Sequence, residues 1–332
     1  MKRFLLILLV LVLAAATLGA QDWKPRKPIT VIVPWGAGGS TDQITRLAAG
    51  LLETPLGQKV VIVNQGGAAG SVGTKSVLDA AHDGYTWASG AAADLGTYKI
   101  QGMLDTTIQD WHLFLSVANI GVLAVNANSP YKTLDDLIMA FKAKPGQITV
   151  ATAGQVSAGR IAMESVRKLA GIEYKMVPYD GGNPAVIACV AGETEAVAQL
   201  AVEEADMLRG GKLRALAVLD DKPLTIKGLA QPIPPITNWY KDYKPGPNYF
   251  GIFLPKDTPA EVLRAVEKAW DQAIGNSKEI QTYALERGAV FAPAYGAEAQ
   301  KRVYAYLQQV AWLYYDAGRT KLSPDAVGIS RP

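Results

Sequence analysis

The chain predicts an α/β fold of mostly parallel sheets flanked by helices and divided between two domains. Three observations predict it. Near-continuous apolar, β-branched runs alternate with helical periodicity along almost the whole chain, which is the pattern of parallel sheets covered on both faces. Several of those runs lead straight into glycine-rich turns that open a helix. The chain has 332 residues. The ~310 left after an N-terminal leader exceed what one core usually serves, so two domains are expected.

The elements follow in order. Residues 1–20, MKRFLLILLVLVLAAATLGA, read as a cleavable signal peptide. Lys2 and Arg3 form its basic start, Phe4–Val12 its apolar core and Leu18-Gly19-Ala20 its cleavage site. The run falls short of the ~20 apolar residues that a span requires, and no cysteine follows it to carry a lipid anchor. Strands are expected at Ile29–Pro34, Val60–Asn64, Tyr85–Ser89, Val117–Val125, Ile148–Thr152, Tyr174–Pro178, Ala196–Leu200, Leu213–Leu219 and Tyr249–Leu254, with helices between most of them. Thr133 caps a helix with acids in its first turn, which stops at Lys144-Pro145-Gly146. Thr258-Pro-Ala-Glu261 reads as a capping box with proline at the first helical position. The last helix, about Ala297–Ala317, is rich in Tyr and Trp and is expected to pack on a sheet. Residues 220–248 are dense in Pro, Lys and Tyr and read as an irregular connection. With Ser116–Asn126 as the other crossing, residues 23–122 and 249–332 form one domain and 123–248 the second.

Composition removes several function classes. Lys and Arg number 33 against 30 Asp and Glu. Without Lys2 and Arg3 the balance is 31 to 30, evenly spread, which gives no electrostatic case for nucleic acid. Cys189 is the one cysteine, so there is no internal disulfide, and its setting in NPAVIACVAGE is that of a buried small hydrophobe. The two histidines, His82 and His112, have no nucleophile near them in sequence and are too few for a zinc site. No G-x-S-x-G elbow, Asp-x-Asp-x-Asp loop or nucleotide fingerprint occurs. Glu203, Glu204 and Asp206 read as the solvated face of a helix. No cofactor or metal is expected.

The chemistry lies in the turns. Trp35-Gly36-Ala37-Gly38-Gly39-Ser40-Thr41-Asp42 follows the first strand, Asn64-Gln65-Gly66-Gly67-Ala68-Ala69-Gly70-Ser71 the second, and Ser89-Gly90-Ala91-Ala92-Ala93 the third. Such turns leave main-chain N–H groups unpaired at a helix N-terminus, which carries about half a positive charge and binds anions. Asp42 is expected to stabilise its helix start rather than touch an anion. Three turns at the carboxyl ends of strands line one edge of a parallel sheet, where open α/β sheets bind ligands. Thr152-Ala153-Gly154-Gln155-Val156-Ser157-Ala158-Gly159-Arg160 and Tyr179-Asp180-Gly181-Gly182-Asn183 repeat the pattern. On a second domain they would face the first set and grip a ligand from the other side. Arg160, the cation within these five turns, either reaches a ligand carboxylate or lies solvated on its helix.

Taken together, the leader, KPITVIVPWGAGGSTD from Lys27, NQGGAAGSVGTKSV, Asp83-Gly84-Tyr85-Thr86, KPGQITVATAG, MVPYDGGNPAV, GGKLRALAVL and YFGIFLPKDTP resemble, nearly end to end, the solute-binding receptors of tripartite tricarboxylate transporters, also called Bug-type receptors. The resemblance implies a type II-like two-domain periplasmic-binding-protein fold with a ligand cleft between the domains, hinge closure and no catalysis. It implies a monomer in the periplasm that binds a small carboxylate (tricarboxylate, dicarboxylate or similar acid) and delivers it to membrane permease subunits. Carried over by position, the binding segments fall on Trp35 to Thr41, Gly67 to Ser71 and Ser89 to Ala91, completed by Ala153, Gly154, Ser157 and Tyr179 to Gly182. The chain departs from the family pattern at GETEAVAQL, where Glu195 takes the acidic position and Gln199 falls near the ligand-facing strand end. It departs also at the alanine-rich third turn and at Gln155-Val156. Two other readings remain on the same scaffold: an exported enzyme or sensor input module, and a receptor for a non-acidic polar solute.

Overall fold

A computed structural model describes residues 23–154, 157–244 and 246–332. The signal-peptide reading at 1–20 and the departure at Gln155-Val156 lie outside them. Among the described residues, no helix is long and apolar enough to cross a membrane.

Two sheets organise the chain. The first has six strands in the order β11-β4-β10-β3-β1-β2. They are β1 (Ile29–Val33), β2 (Val60–Asn64), β3 (Thr86–Ala91), β4 (Trp111–Asn119), β10 (Asn248–Pro255) and β11 (Ala289–Tyr295). The second has five, in the order β7-β6-β8-β5-β9: β5 (Gly121–Asn126), β6 (Thr149–Thr152), β7 (Lys175–Pro178), β8 (Ala196–Leu200) and β9 (Leu213–Val218). Each sheet has a parallel block, β2-β1-β3 in one and β7-β6-β8 in the other, built by helical crossovers. Antiparallel strands extend each block: β10 between β3 and β4, β11 on β4, and β5 between β8 and β9. The long run expected from 117 to 125 is two strands, because the chain leaves one sheet at Asn119 and enters the other at Gly121.

The helices are α1 (Ser40–Leu56), α2 (Ser71–Leu78), α3 (Ala92–Gln101), α4 (Leu134–Ala143), α5 (Ala158–Ala170), α6 (Gly182–Ala191), α7 (Ala201–Arg209), α8 (Ala260–Ala273), α9 (Lys278–Arg287) and α10 (Gly296–Asp316). Strand alternation feeds a core on each face of a sheet. In β1, Ile29 and Val31 pack with residues of α1 and α8, while Ile32 joins α3 and α10. In β5, Leu123 and Val125 pack with α4 and α5, while Val122 and Ala124 join α6 and α7. Within the irregular connection, Leu224, Ile226 and Ile233 join one core of the five-stranded lobe and Ile236 and Tyr243 the other, while Asn248 already begins β10 of the six-stranded sheet. Tyr306, Trp312 and Tyr314 of α10 are buried.

Helix starts differ in how they are closed. Thr133 caps α4 in a reciprocal box with Asp136, and Ser277 caps α9. The box expected at Thr258–Glu261 does not form. Pro259 itself takes the N-cap position of α8, in an extended conformation, with no side-chain cap.

Candidate functional site

The N-termini of α1 and α3 from the six-stranded lobe and of α5 and α6 from the five-stranded lobe meet at a cavity of about 110 Å³. The N-cap residues of α1, α3 and α6 are Gly39, Ala91 and Gly181, and none supplies a side-chain cap. Their first N–H groups therefore carry the partial positive charge of the helix end without a cap from their own segment. Ser157 caps α5 through the Arg160 N–H.

The structure brings together Trp35, Gly36, Ala37, Gly39, Ser40, Thr41, Ala91, Ala153, Ser157, Asp180, Gly181, Gly182 and Gln199 on the cavity wall. Gly38 lies one step behind, and its left-handed φ of 79° turns its carbonyl to accept from Asn183 Nδ2 at 2.6 Å, across the lobes. Asp42 holds the turn from inside the lobe, accepting from Gly38 N–H and Arg46 at 2.9 Å each. Burial pushes its carboxyl up, but bonds from Arg46, Gly38 and Asn64 outweigh that and leave it below its ordinary value.

Other expected residues stand off the cavity. Gly67, Ala68, Ala69, Gly70 and Ser71 are not on the cavity wall, and Gly70 backs the first turn. A β-carbon on Gly70 would lie 3.5 Å from Pro34 and Trp35 and 2.8 Å from the Tyr98 hydroxyl, which donates to Ala69 O at 3.3 Å. Ser89 donates to Ile32 O at 3.2 Å within its sheet, and Gly90 packs near Pro34. Gly154 is set back beside Tyr179 O, and the Tyr179 hydroxyl points to Glu193. Arg160 is neither solvated nor on the wall. It is 3% exposed, paired with Glu164 at 3.1 Å, and in contact with Met176 Sδ. A buried carboxylate on the next turn of α5 thus engages its guanidinium.

The wall also contains Ala158 and Asn183 of the expected turns, and Asp94, Pro184, Leu200, Glu203, Asn248 and Phe250, to which sequence reasoning assigned no binding role. Glu203 corrects the reading of a solvated acidic face. Its Oε1 accepts from Ser40 N–H at 3.1 Å, and its Oε2 is shielded without a hydrogen-bond partner among the described residues. Burial raises its pKa, against the opposing bonds from Ser40. Glu204 is fully buried inside its lobe, and burial pushes its carboxyl well above the ordinary range. Asp206 alone faces solvent, paired with Arg209 and Arg287. Asp94, in the first turn of α3, is pushed up to about 7 by burial.

No Lys, Arg or His occurs among the described residues of the wall. Gln199, 2% exposed, presents an unpartnered Nε2, and Asn248, 5% exposed, an unpartnered Oδ1. Such groups are costly unless something in the cavity pairs with them. Ala158, Leu200 and Asn248 also line a second cavity of about 370 Å³ between the lobes, with unpartnered Asn119 on its wall. His82 pairs with Asp257, and His112 meets Lys256 O at 3.0 Å, both away from the wall. Cys189 is fully buried, its thiol pushed up to about 12 by burial. Among the described residues, no group of three His, Cys, Asp or Glu is placed to hold a metal ion.

Comparisons with known proteins agree with this architecture. Protein BugT of Bordetella pertussis is 28% identical over 274 residues, covering 80% of this chain and 82% of BugT. The structure of periplasmic binding protein BugD superposes with a TM-score of 0.81 at 24% identity, over 90% of this chain and 100% of that one. A Rhodopseudomonas palustris protein solved with adipate gives a TM-score of 0.81 at 24% identity, over 90% and 99%. These likenesses show the two-domain periplasmic-binding-protein fold. The family model described as tripartite tricarboxylate transporter family receptor matches residues 44–300. By that match, and by a fold whose two lobes close on one cavity, the chain belongs to the tripartite tricarboxylate transporter receptor family, the Bug-type solute-binding receptors.

Proposed function

We propose that this chain is exported to the periplasm, captures a small organic carboxylate by hinge closure and hands it to the permease subunits of a tripartite tricarboxylate transporter, without chemical turnover. One observation carries the reading. Helix N-termini from both lobes converge on one cavity, and no cationic side chain occurs among the described residues of its wall, so an anion there is held by main-chain N–H groups and amides. A cavity of about 110 Å³ suits a solute of few heavy atoms, below the ~300–1,000 Å³ of drug-sized ligand sites. The adipate bound to one structural neighbour is itself a carboxylate. Closure follows because the wall is shared: a solute that contacts both lobes favours the state in which both are present.

A thermal-shift screen of citrate, C4-dicarboxylates, monocarboxylates, acidic amino acids and aromatic acids tests this. A true solute raises the melting temperature through binding to the folded state alone, by about 2.7 kcal/mol at a hundredfold excess over Kd. Turnover of the solute would favour an enzyme on this scaffold. Stabilisation by uncharged compounds only would favour a neutral polar solute.

A further inference from the structure

Glu203 sits where an acid of the solute would be expected. It rises from α7 in the five-stranded lobe and accepts from Ser40 N–H, 163 residues away in sequence, at the start of α1 in the other. The same carboxyl lies flat against Gly182 at the start of α6, where a β-carbon would fall 1.9 Å from Oε2. On the opposite side a β-carbon on Gly39 would stand 3.8 Å from Oε1. Helices α1 and α6 run for 17 and 10 residues, and neither has a cap from its own N-cap side chain. One carboxyl group of the protein thus bridges two helix N-termini from opposite lobes.

We propose that Glu203 is a built-in carboxylate that fills the anion position between α1 and α6, so that this receptor selects small monocarboxylic solutes with a hydrogen-bond-donating second end over dicarboxylates. The inference rests on the carboxylate reading above. The occupancy holds in either protonation state, since the group takes both the space and the Ser40 N–H. What remains for the solute's own carboxylate is the buried, unpartnered Nε2 of Gln199 and the α5 start at Ser157–Ala158 from one lobe, with the uncapped α3 N-terminus at Ala91 from the other. A second solute carboxylate would meet Asp94, Asp180 and Glu203 with no cation among the described wall residues to offset them. A hydroxyl, amide or amine in that place finds acceptors instead.

Calorimetry on the leader-free chain with matched pairs tests the assignment: succinate against succinamate, and glutarate against glutaramate. The wild-type chain is expected to bind a half-amide about tenfold or more tighter than its diacid. In Glu203→Ala the vacated position accepts the second carboxylate, and the preference disappears or inverts. Glu203→Gln keeps the shape and the Ser40 bond, so the position stays filled and the preference for the half-amide is expected to persist. Melting temperatures confirm that each variant is folded. A wild-type chain that binds a diacid as tightly as its half-amide, or a folded Glu203→Ala with an unchanged ratio, would overturn the assignment and leave the carboxylate reading standing. Stabilisation by uncharged compounds only, with none of the acids bound, would overturn both.

Discussion

At the scale of single residues, the cavity wall combines helix N-termini with two carboxyl groups that burial has made weak acids. Asp94 is the more informative for pH. Its folded pKa of about 7 lies above the ordinary carboxylate value, so the native state holds a proton that the unfolded chain has lost. Stability contributed by that proton is full below the unfolded pKa and declines as pH rises toward 7. Above 7 the ionised group also repels an anionic solute. Asp94→Asn should therefore raise the melting temperature at pH 8 and flatten its decline between pH 4 and 7. It should also remove the loss of solute affinity above pH 7 that we expect of the wild type. A wild-type affinity independent of pH from 6 to 8.5 would contradict this. Gly182 offers a second test. Its backbone tolerates a side chain, but an added methyl meets the Glu203 carboxyl. Gly182→Ala should push that group into the cavity and weaken solute binding about tenfold, or ~1.4 kcal/mol, with circular dichroism unchanged.

Glu203 also marks the limit of what the sequence shows. With Glu204 and Asp206 on the same helix, its spacing matches a solvated face, and only the meeting of α7 with α1 gives it another role. Asn248 was hidden for the same reason, since its neighbours come from distant segments, and so was the bond of Asn183 to Gly38 across the lobes. The glycine turns were legible because the left-handed φ of Gly38, Gly154 and Gly181 is a local demand that the chain meets with glycine. Among them, which turns face the cavity and which buttress it depends on packing, as Gly70 against Tyr98 shows.

At the scale of elements, most strands and their helices were legible from apolar runs and caps, the edge strands β2, β7 and β9 among them, and β11 was not. β11, with sequence AVFAPAY, has Pro293 inside it, which argues against a strand in a sheet interior. It forms as an edge strand on β4, with a register shift between Phe291 and Ala294. Caps away from the cavity contribute to stability alone. Thr133→Ala, which removes the α4 box, should cost about 1 kcal/mol in urea unfolding and leave solute affinity unchanged. Gly96 sets the approach of α3 to α10, because a β-carbon there would lie 2.5 Å from Leu307. Gly96→Val should destabilise by roughly 1–3 kcal/mol through overpacking, and a melting temperature at the wild-type value would show that the two helices part more readily than their contact suggests.

At the scale of the whole molecule, the hydrogen bonds of Asn183 to Gly38 and Ser40 to Glu203 join the lobes at the cavity among the described residues, and the Arg287–Asp206 and Lys227–Glu286 pairs join α9 to the five-stranded lobe. They bias the hinge toward closure, each contributing about 1 kcal/mol or less. Solute supplies the rest. Small-angle scattering should show a smaller radius of gyration on saturation with a bound acid, and Asn183→Ala should need more acid to reach it. Identical scattering with and without saturating solute would argue for a site that does not move.

The account depends on one negative group being held by main-chain ends from both lobes. A crystal structure of the leader-free chain with its tightest-binding acid tests that most directly. The account predicts the solute carboxylate within hydrogen-bond distance of N–H or amide groups from both lobes, with no Lys or Arg side chain touching it. A carboxylate held by one lobe alone, or by a cationic side chain, would contradict it.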